Sequence, residues 1–301
     1  MSLATDRCLV QQLRYVHLGS RDPEAAAGFA EERLGMRLAG TESGQWLLRS
    51  DHRAFTLAFS AERRQAVGLQ VADIDALELA AERLAGLGIV ARRDDALAAR
   101  RLARALLAFT LPGGVDIELV VRPLDKGWRF FPSREIGLAG LAAVALRSTR
   151  IAEDEAVLGG ALGMRVADWV GDASYLGFDA AHHRLALHPS SATGVLSVEF
   201  ALDDLDELMQ AWYRLRDAGE VPAHGPGRRP ASEQAFLTFD GPDEVYFGLV
   251  AEGRTPAEGE RPRQFAAEQA SHCAWGSACT IAEYGAATQV RGRPHLREVG
   301  P

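Results

Sequence analysis

The sequence predicts an α+β protein made of four βαβββ modules, two in each half. Three observations predict it. A strand–helix stretch in the first half recurs in the second. A second kind of unit follows each copy. Each half then closes on a strand, a Pro/Gly turn and another strand.

The first module opens with LRYVHLGSRDPEAAAGFAEERLGMRLAG (13–40), which matches LAAVALRSTRIAEDEAVLGGALGMRVAD (141–168) in the third. Both read as a strand, a polar turn and a helix. In the shared LGMR exit, Gly35 and Gly163 stand where a left-handed C-terminal cap is needed. A strand pair follows each copy: GQWLLRS and RAFTLAFS in the first half, ASYLGFD and HRLALHPS in the second. The second unit, residues 66–91, parallels residues 195–222. Each has a half-buried strand, an ADIDAL or DDLDEL cap, and a helix ending at Gly88 or Gly219. AFTLPGGVDIELVV and AFLTFDGPDEVYFGLV close the halves. The boundary falls in residues 122–137, giving domains at 10–122 and 137–252 and a tail at 253–301. The start of that tail is polar and rich in Pro and Gly, so it reads as a linker or surface loop.

Composition narrows the function. The 301 residues are 47% hydrophobic and 25% charged, enough for a sizeable core in about two domains. A net charge of -8 argues against nucleic acid as a partner. No apolar run is long enough to span a membrane, and the N-terminal residues lack the apolar core of a signal peptide. Cys8, Cys273 and Cys279 are scattered and odd in number, so they are expected as thiols in a cytoplasmic protein.

The repeat order, the LGMR exits, the HHRLAL strand and the GPGR…GPD…YF close together resemble the vicinal oxygen chelate superfamily over roughly residues 10–252. The nearest likeness is to its two-domain type I extradiol catechol dioxygenases. The resemblance implies two domains, each an open cup-shaped mixed sheet with flanking helices. It implies a structural first half, and a second half that holds Fe(II) through two histidines and a glutamate. It also implies homo-oligomers.

Matched position by position, the metal ligands are replaced. The histidine positions fall on Ala143 and Ser197, and the glutamate, six residues after Pro242, falls on Gly248. The matching first-half positions are Tyr15, roughly Gly68, and Glu118, with His17 on the Tyr15 face of its strand. The family's acid–base tyrosine falls on Thr238 and another pocket histidine on Arg229, within the Gly-rich basic turn GPGRR. The second histidine of HHRLAL, the family's acid–base residue, is His183. Strand alternation puts it with Leu185 and Leu187 on the pocket face, and His182 with Arg184 on the other.

Ser197, Glu199 and Ala201 share the pocket face of their strand. Glu199 there needs a partner, either Arg229 or His183. With His183 it would form a metal-free acid–base couple; with Arg229, an ion pair filling the old metal position. Tyr175, Arg229, Thr238 and Tyr246 are the expected ligand contacts. The expectation is a protein without cofactor that binds a small aromatic molecule or carries a metal-independent activity. The alternatives are an Fe(II) dioxygenase with ligands elsewhere and a non-catalytic partner of an active homologue. His272, Cys273, Cys279 and distant His295 have poor zinc spacing. The basic stretch 92–109 reads as a solvated amphipathic helix or loop.

Overall fold

The computed structural model describes residues 8–134 and 137–285. The first module is β1 (Val10–Gly19), α1 (Pro23–Leu34), β2 (Arg37–Glu42), β3 (Gln45–Arg49) and β4 (Leu57–Ser60). The second is β5 (Ala66–Val71), α2 (Ile74–Gly86), β6 (Arg92–Arg93), α3 (Asp95–Arg100), β7 (Ala105–Thr110) and β8 (Asp116–Val121). The third is β9 (Leu138–Ser148), α4 (Ile151–Leu162), β10 (Arg165–Val170), β11 (Ala173–Gly177) and β12 (Leu185–Pro189). The fourth is β13 (Gly194–Leu202), α5 (Leu205–Asp217), β14 (His224–Arg228), β15 (Ala235–Asp240) and β16 (Tyr246–Ala251). The chain then adds β17 (Arg263–Phe265), the short α6 (Gln269–His272) and a 3-10 turn at Ala282–Tyr284.

These make two mixed sheets, ordered β2-β3-β4-β1-β5-β8-β7-β6 and β14-β15-β16-β13-β9-β12-β11-β10-β17. In each, the first strands of the two modules, β1 with β5 and β9 with β13, run antiparallel at the centre. Helix ends follow the caps in the sequence. Gly35 and Gly163 take the left-handed conformation, at φ 71 and 74. Asp73 and Asp204 accept hydrogen bonds from Ala76 N and Glu207 N at the starts of α2 and α5.

One apolar core joins the helix side of both sheets. It includes Val16, Leu69 and Leu119 from one, and Val144, Val198 and Leu249 from the other. Phe29 on α1 reaches Phe247 on β16, ring centroids 5.4 Å apart, so the halves pack as one unit. The opposite face of each sheet carries the polar groups discussed below. Among the described residues, no helix is long and apolar enough to cross a membrane.

The stretch 92–109 departs from expectation. It forms β6, α3 and β7, with Leu97 and Ala98 buried, and Arg101 only 2% exposed. Glu118 is the cause: a carboxylate with no exposure at the centre of the first sheet requires a counter-charge.

Candidate ligand site

Strand register defines one rung of three residues across the middle of each sheet. In the first sheet Gly68 on β5 is the Cα partner of both Tyr15 on β1 and Glu118 on β8. In the second, Glu199 on β13 is the partner of both Ala143 on β9 and Gly248 on β16. The counterpart of Gly68 is therefore Glu199, not Ser197, which pairs with Ala145 and Tyr246 one step along. Register shifts in β13, between Val195 and Ser197 and between Glu199 and Phe200, are invisible to residue counting.

At the second rung Arg229 meets Glu199 with both guanidinium nitrogens. Nη1 donates to Oε2 at 2.9 Å and Nη2 donates to Oε1. Both residues are buried, and the guanidinium lies 4.7 Å above the Phe236 ring. Burial alone would lower the Arg229 pKa, but the Glu199 charge and hydrogen bonds outweigh it and raise it. Gly248 gives the carboxylate room, since a Cβ there would lie 3.1 Å from Glu199 Cγ. What remains is a cavity of about 10 Å³ among Tyr175, His183, His188, Glu199, Arg229 and Tyr284. That is about the space of one water.

A polar chain runs beside it. Asp168 accepts from His182 Nε2 at 2.8 Å, from Arg263 N at 2.7 Å and from Arg263 Nη2 at 2.7 Å. Burial tends to raise the Asp168 pKa, but these bonds lower it overall. His182 Nδ1 lies 3.1 Å from His183 Nδ1. Burial lowers the pKa of His182 despite Asp168, and takes that of His183 well below the ordinary value, so both rings are neutral. A neutral His182 that donates from Nε2 must accept at Nδ1. His183 then carries its proton on Nδ1 and keeps Nε2 as a bare acceptor, a tautomer assigned from the network. Burial also pushes the Tyr175 phenol up to about 12.

His183, Glu199, Tyr175 and Arg229 line one cavity, in which Glu199 pairs with Arg229 while His183 pairs with His182. Three placements are corrected. His182 is buried and bonded to His183, not turned away from it. Leu185 and Leu187 belong to the helix-side core, and Ala186 and His188 face the cavity, because β12 begins only at Leu185 after an irregular approach. Tyr246 lines a separate open cleft of about 710 Å³ with Arg147 and Glu283, since it begins β16 one rung from Gly248. Thr238 does pair with Gly248, and its buried Oγ1 has no hydrogen-bond partner among the described residues. GPGRR is not a free basic turn but β14 and its exit.

In the first cup, Tyr15 donates to Glu118 at 2.6 Å, and Arg101 holds the same carboxylate at 2.7 and 3.0 Å. His17 instead meets Ser60 Oγ at 3.0 Å, and burial lowers its pKa to about 4.

Sequence reasoning missed His188, His224 and Tyr284. The correct phase of β12 would have exposed His188, since it lies two residues beyond Ala186. Nothing in a tail without a repeat partner marked Tyr284. His272 stacks on Tyr284 at 4.8 Å and 11°. His295 lies outside the described residues. Among those described, no three His, Cys, Asp or Glu side chains are placed to hold a metal. Ala143, Ser197 and Gly248 themselves supply a methyl, a hydroxyl and a hydrogen.

No protein-family profile matches the chain. Over 120 residues it is 29% identical to a biphenyl-2,3-diol 1,2-dioxygenase of Pseudomonas sp. (strain KKS102), covering 38% of this chain and 41% of that protein. Over 114 residues it is 32% identical to the enzyme of the same name from Paraburkholderia xenovorans (strain LB400), covering 36% and 38%. The matched part is thus about two fifths of the relatives' length. Likeness of structure extends further. A Mn(II)-bound glyoxalase from Novosphingobium aromaticivorans superposes with a TM-score of 0.82 at 19% identity, covering 92% of this chain and 94% of that one. A halotolerant catechol dioxygenase gives 0.80 at 16% identity, covering 85% and 92%. Two mixed sheets, each built from a pair of repeated modules, give this chain the vicinal oxygen chelate fold in the two-domain form of the extradiol dioxygenases it resembles.

Proposed function

We propose that the C-terminal cup binds a small aromatic molecule without Fe(II). The Glu199–Arg229 pair carries this reading, because it occupies the rung between Ala143 and Gly248. The residues there do not fit an iron centre of two histidines and one carboxylate. The carboxylate on the rung is committed to a guanidinium, and its two neighbours are Ala and Gly. Pairing with Arg229 also lets a charge stay buried without a metal. The aromatic class follows from likeness to proteins that act on biphenyl-2,3-diol and catechol. Arg229, Tyr175 and Thr238 would supply polar contacts, and Tyr246 would contact a ligand only from the neighbouring cleft. We assign this role to a cytoplasmic homo-oligomer on the resemblance and composition alone.

Two other readings have specific support. The unprotonated Nε2 of His183, which lines the same cavity as Glu199, is the group a metal-independent proton transfer would use, although burial makes it a weak base. The similarity to biphenyl-2,3-diol dioxygenases favours an Fe(II) ring-cleaving enzyme. Protein purified anaerobically with added Fe(II) is assayed for iron and then given catechol and O2. The expected result is iron well below one per chain and no ring-cleavage absorbance. Stoichiometric iron with ring cleavage overturns the proposal.

A further inference from the structure

The segment after β16 packs back over the second cup. β17 extends the sheet beside β10, fixed by Arg263 on Asp168. The chain then follows β14, with Ala274 N donating to Arg228 O and Thr280 N to Ala223 O, each at 2.8 Å. Glu283 is tied to Arg147 at 2.7 Å. Next to it, Tyr284 enters the cup and is only 9% exposed. Its ring stacks on His272 and lies 4.9 Å from the His188 ring and 5.7 Å from the His224 ring. With Tyr284 among its walls, the cavity over Glu199 and Arg229 is only about 10 Å³.

The closed cup is incompletely satisfied. His188 Nδ1, both nitrogens of His224, Ser197 Oγ and Thr238 Oγ1 are buried without hydrogen-bond partners among the described residues. Each such group that water does not reach disfavours the closed state. A bound molecule with hydroxyl groups would satisfy some of them, which a tethered ring held by its backbone does not. The segment is held at a few points: β17 has three residues, residues 252–262 before it are mostly exposed, and beyond β17 it is anchored by the buried Cys273 and Ile281.

We propose that residues 263–285 form a displaceable cover and that Tyr284 is a tethered occupant of the cup. Its phenol ring holds the place of a monocyclic phenol. The inference rests on the aromatic-binding reading and adds the ligand's class and its control. A ligand must displace the ring, so the intact protein binds a phenol more weakly than the bare cup does.

The test is calorimetric titration with phenol of the wild type, Tyr284→Ala, Tyr284→Phe and Arg263→Gln, with folding checked by circular dichroism. Tyr284→Ala is expected to bind at least 10-fold more tightly than the wild type, and Tyr284→Phe like the wild type. Arg263→Gln, with the ring intact and its tether weakened, is expected to fall between. That variant separates a displaceable ring from a core residue. If Tyr284→Ala gains affinity and Arg263→Gln does not, the ring is ordinary core and the cover is overturned. Equal binding by all four proteins overturns the cover and leaves the aromatic site standing. No binding by any of them overturns both. Should Tyr284→Ala fail to fold, the comparison of Arg263→Gln with the wild type decides alone.

Discussion

Arg229 and Glu199 form a two-pronged ion pair on the central rung of the second sheet, both of them buried. A buried pair of this kind is weak evidence for net stabilisation, since desolvation opposes the attraction. Breaking it from one side is another matter. Arg229→Met leaves the Glu199 charge uncompensated and is expected to cost about 3–5 kcal/mol. Glu199→Leu combined with Arg229→Met removes both charges and should lose far less than the sum of the single changes. Urea unfolding of the four proteins measures this. Additive losses would mean that the two side chains do not depend on each other.

The two rungs differ in how tightly their glycines are confined. A Cβ on Gly68 would sit 2.3 Å from Tyr15 Cζ, and the Tyr15 ring is 1% exposed and pinned by Glu118. A Cβ on Gly248 would meet the Glu199 Cγ at 3.1 Å, a contact that a few tenths of an ångström relieve. Gly68→Ala is therefore expected to destabilise by about 1–3 kcal/mol, as overpacking does, and Gly248→Ala by less than about 1 kcal/mol. Thermal unfolding of the two variants ranks them, and the reverse order would contradict the register described for the first sheet.

Much of the fold was legible because it is written twice. Repeats, Asp caps and Gly exits are local signals: the LGMR exits recur in the first and third modules and the Asp caps of α2 and α5 in the second and fourth. Glu199 was also legible, as a carboxylate on an alternating strand that needed Arg229 or His183. Long-range register was not. A register shift between Val195 and Ser197 precedes the run that sets Glu199 level with Ala143, an unshifted pairing with β16 sets it level with Gly248, and only the paired strands reveal either. The phase of β12 failed for a similar reason: the approach to it is irregular, so alternation counted from His183 puts Leu187 in the cup and His188 out of it. Tyr284 was beyond reach, since its position depends on packing between the tail and β14, which no periodicity records.

Asp168 ties the tail to the histidine pair. It accepts from Arg263 N at 2.7 Å and from His182 Nε2 at 2.8 Å, and it has no solvent exposure. Asp168→Ala removes both acceptors at once. The Arg263 amide should then exchange with solvent faster by at least about 10-fold, since local opening governs protection of such groups. Amides in β13, held by both neighbouring strands, should be unchanged. Hydrogen exchange read by mass spectrometry separates the two. Equal acceleration in β13 would mean that the whole domain loosens, not the tail.

Burial of histidines sets an acid limit on stability. His17, His224 and His272 each have the pKa lowered to about 4, burial being the main cause in all three. In the unfolded chain these rings titrate near 6.5. Between the two values the unfolded state binds protons that the folded state refuses. Stability must therefore fall as pH drops from about 6.5 towards 4, and level off below the folded values. Each ring contributes at most about 1.4 kcal/mol per pH unit within that window. Urea unfolding at pH 7, 5.5 and 4.5 should show a progressive loss. His272→Phe should flatten it, since an apolar ring in that stack has no proton to take up. A profile flat across this range would mean that these rings titrate as if solvated, and then Tyr284 and the tail would not be closing the cup.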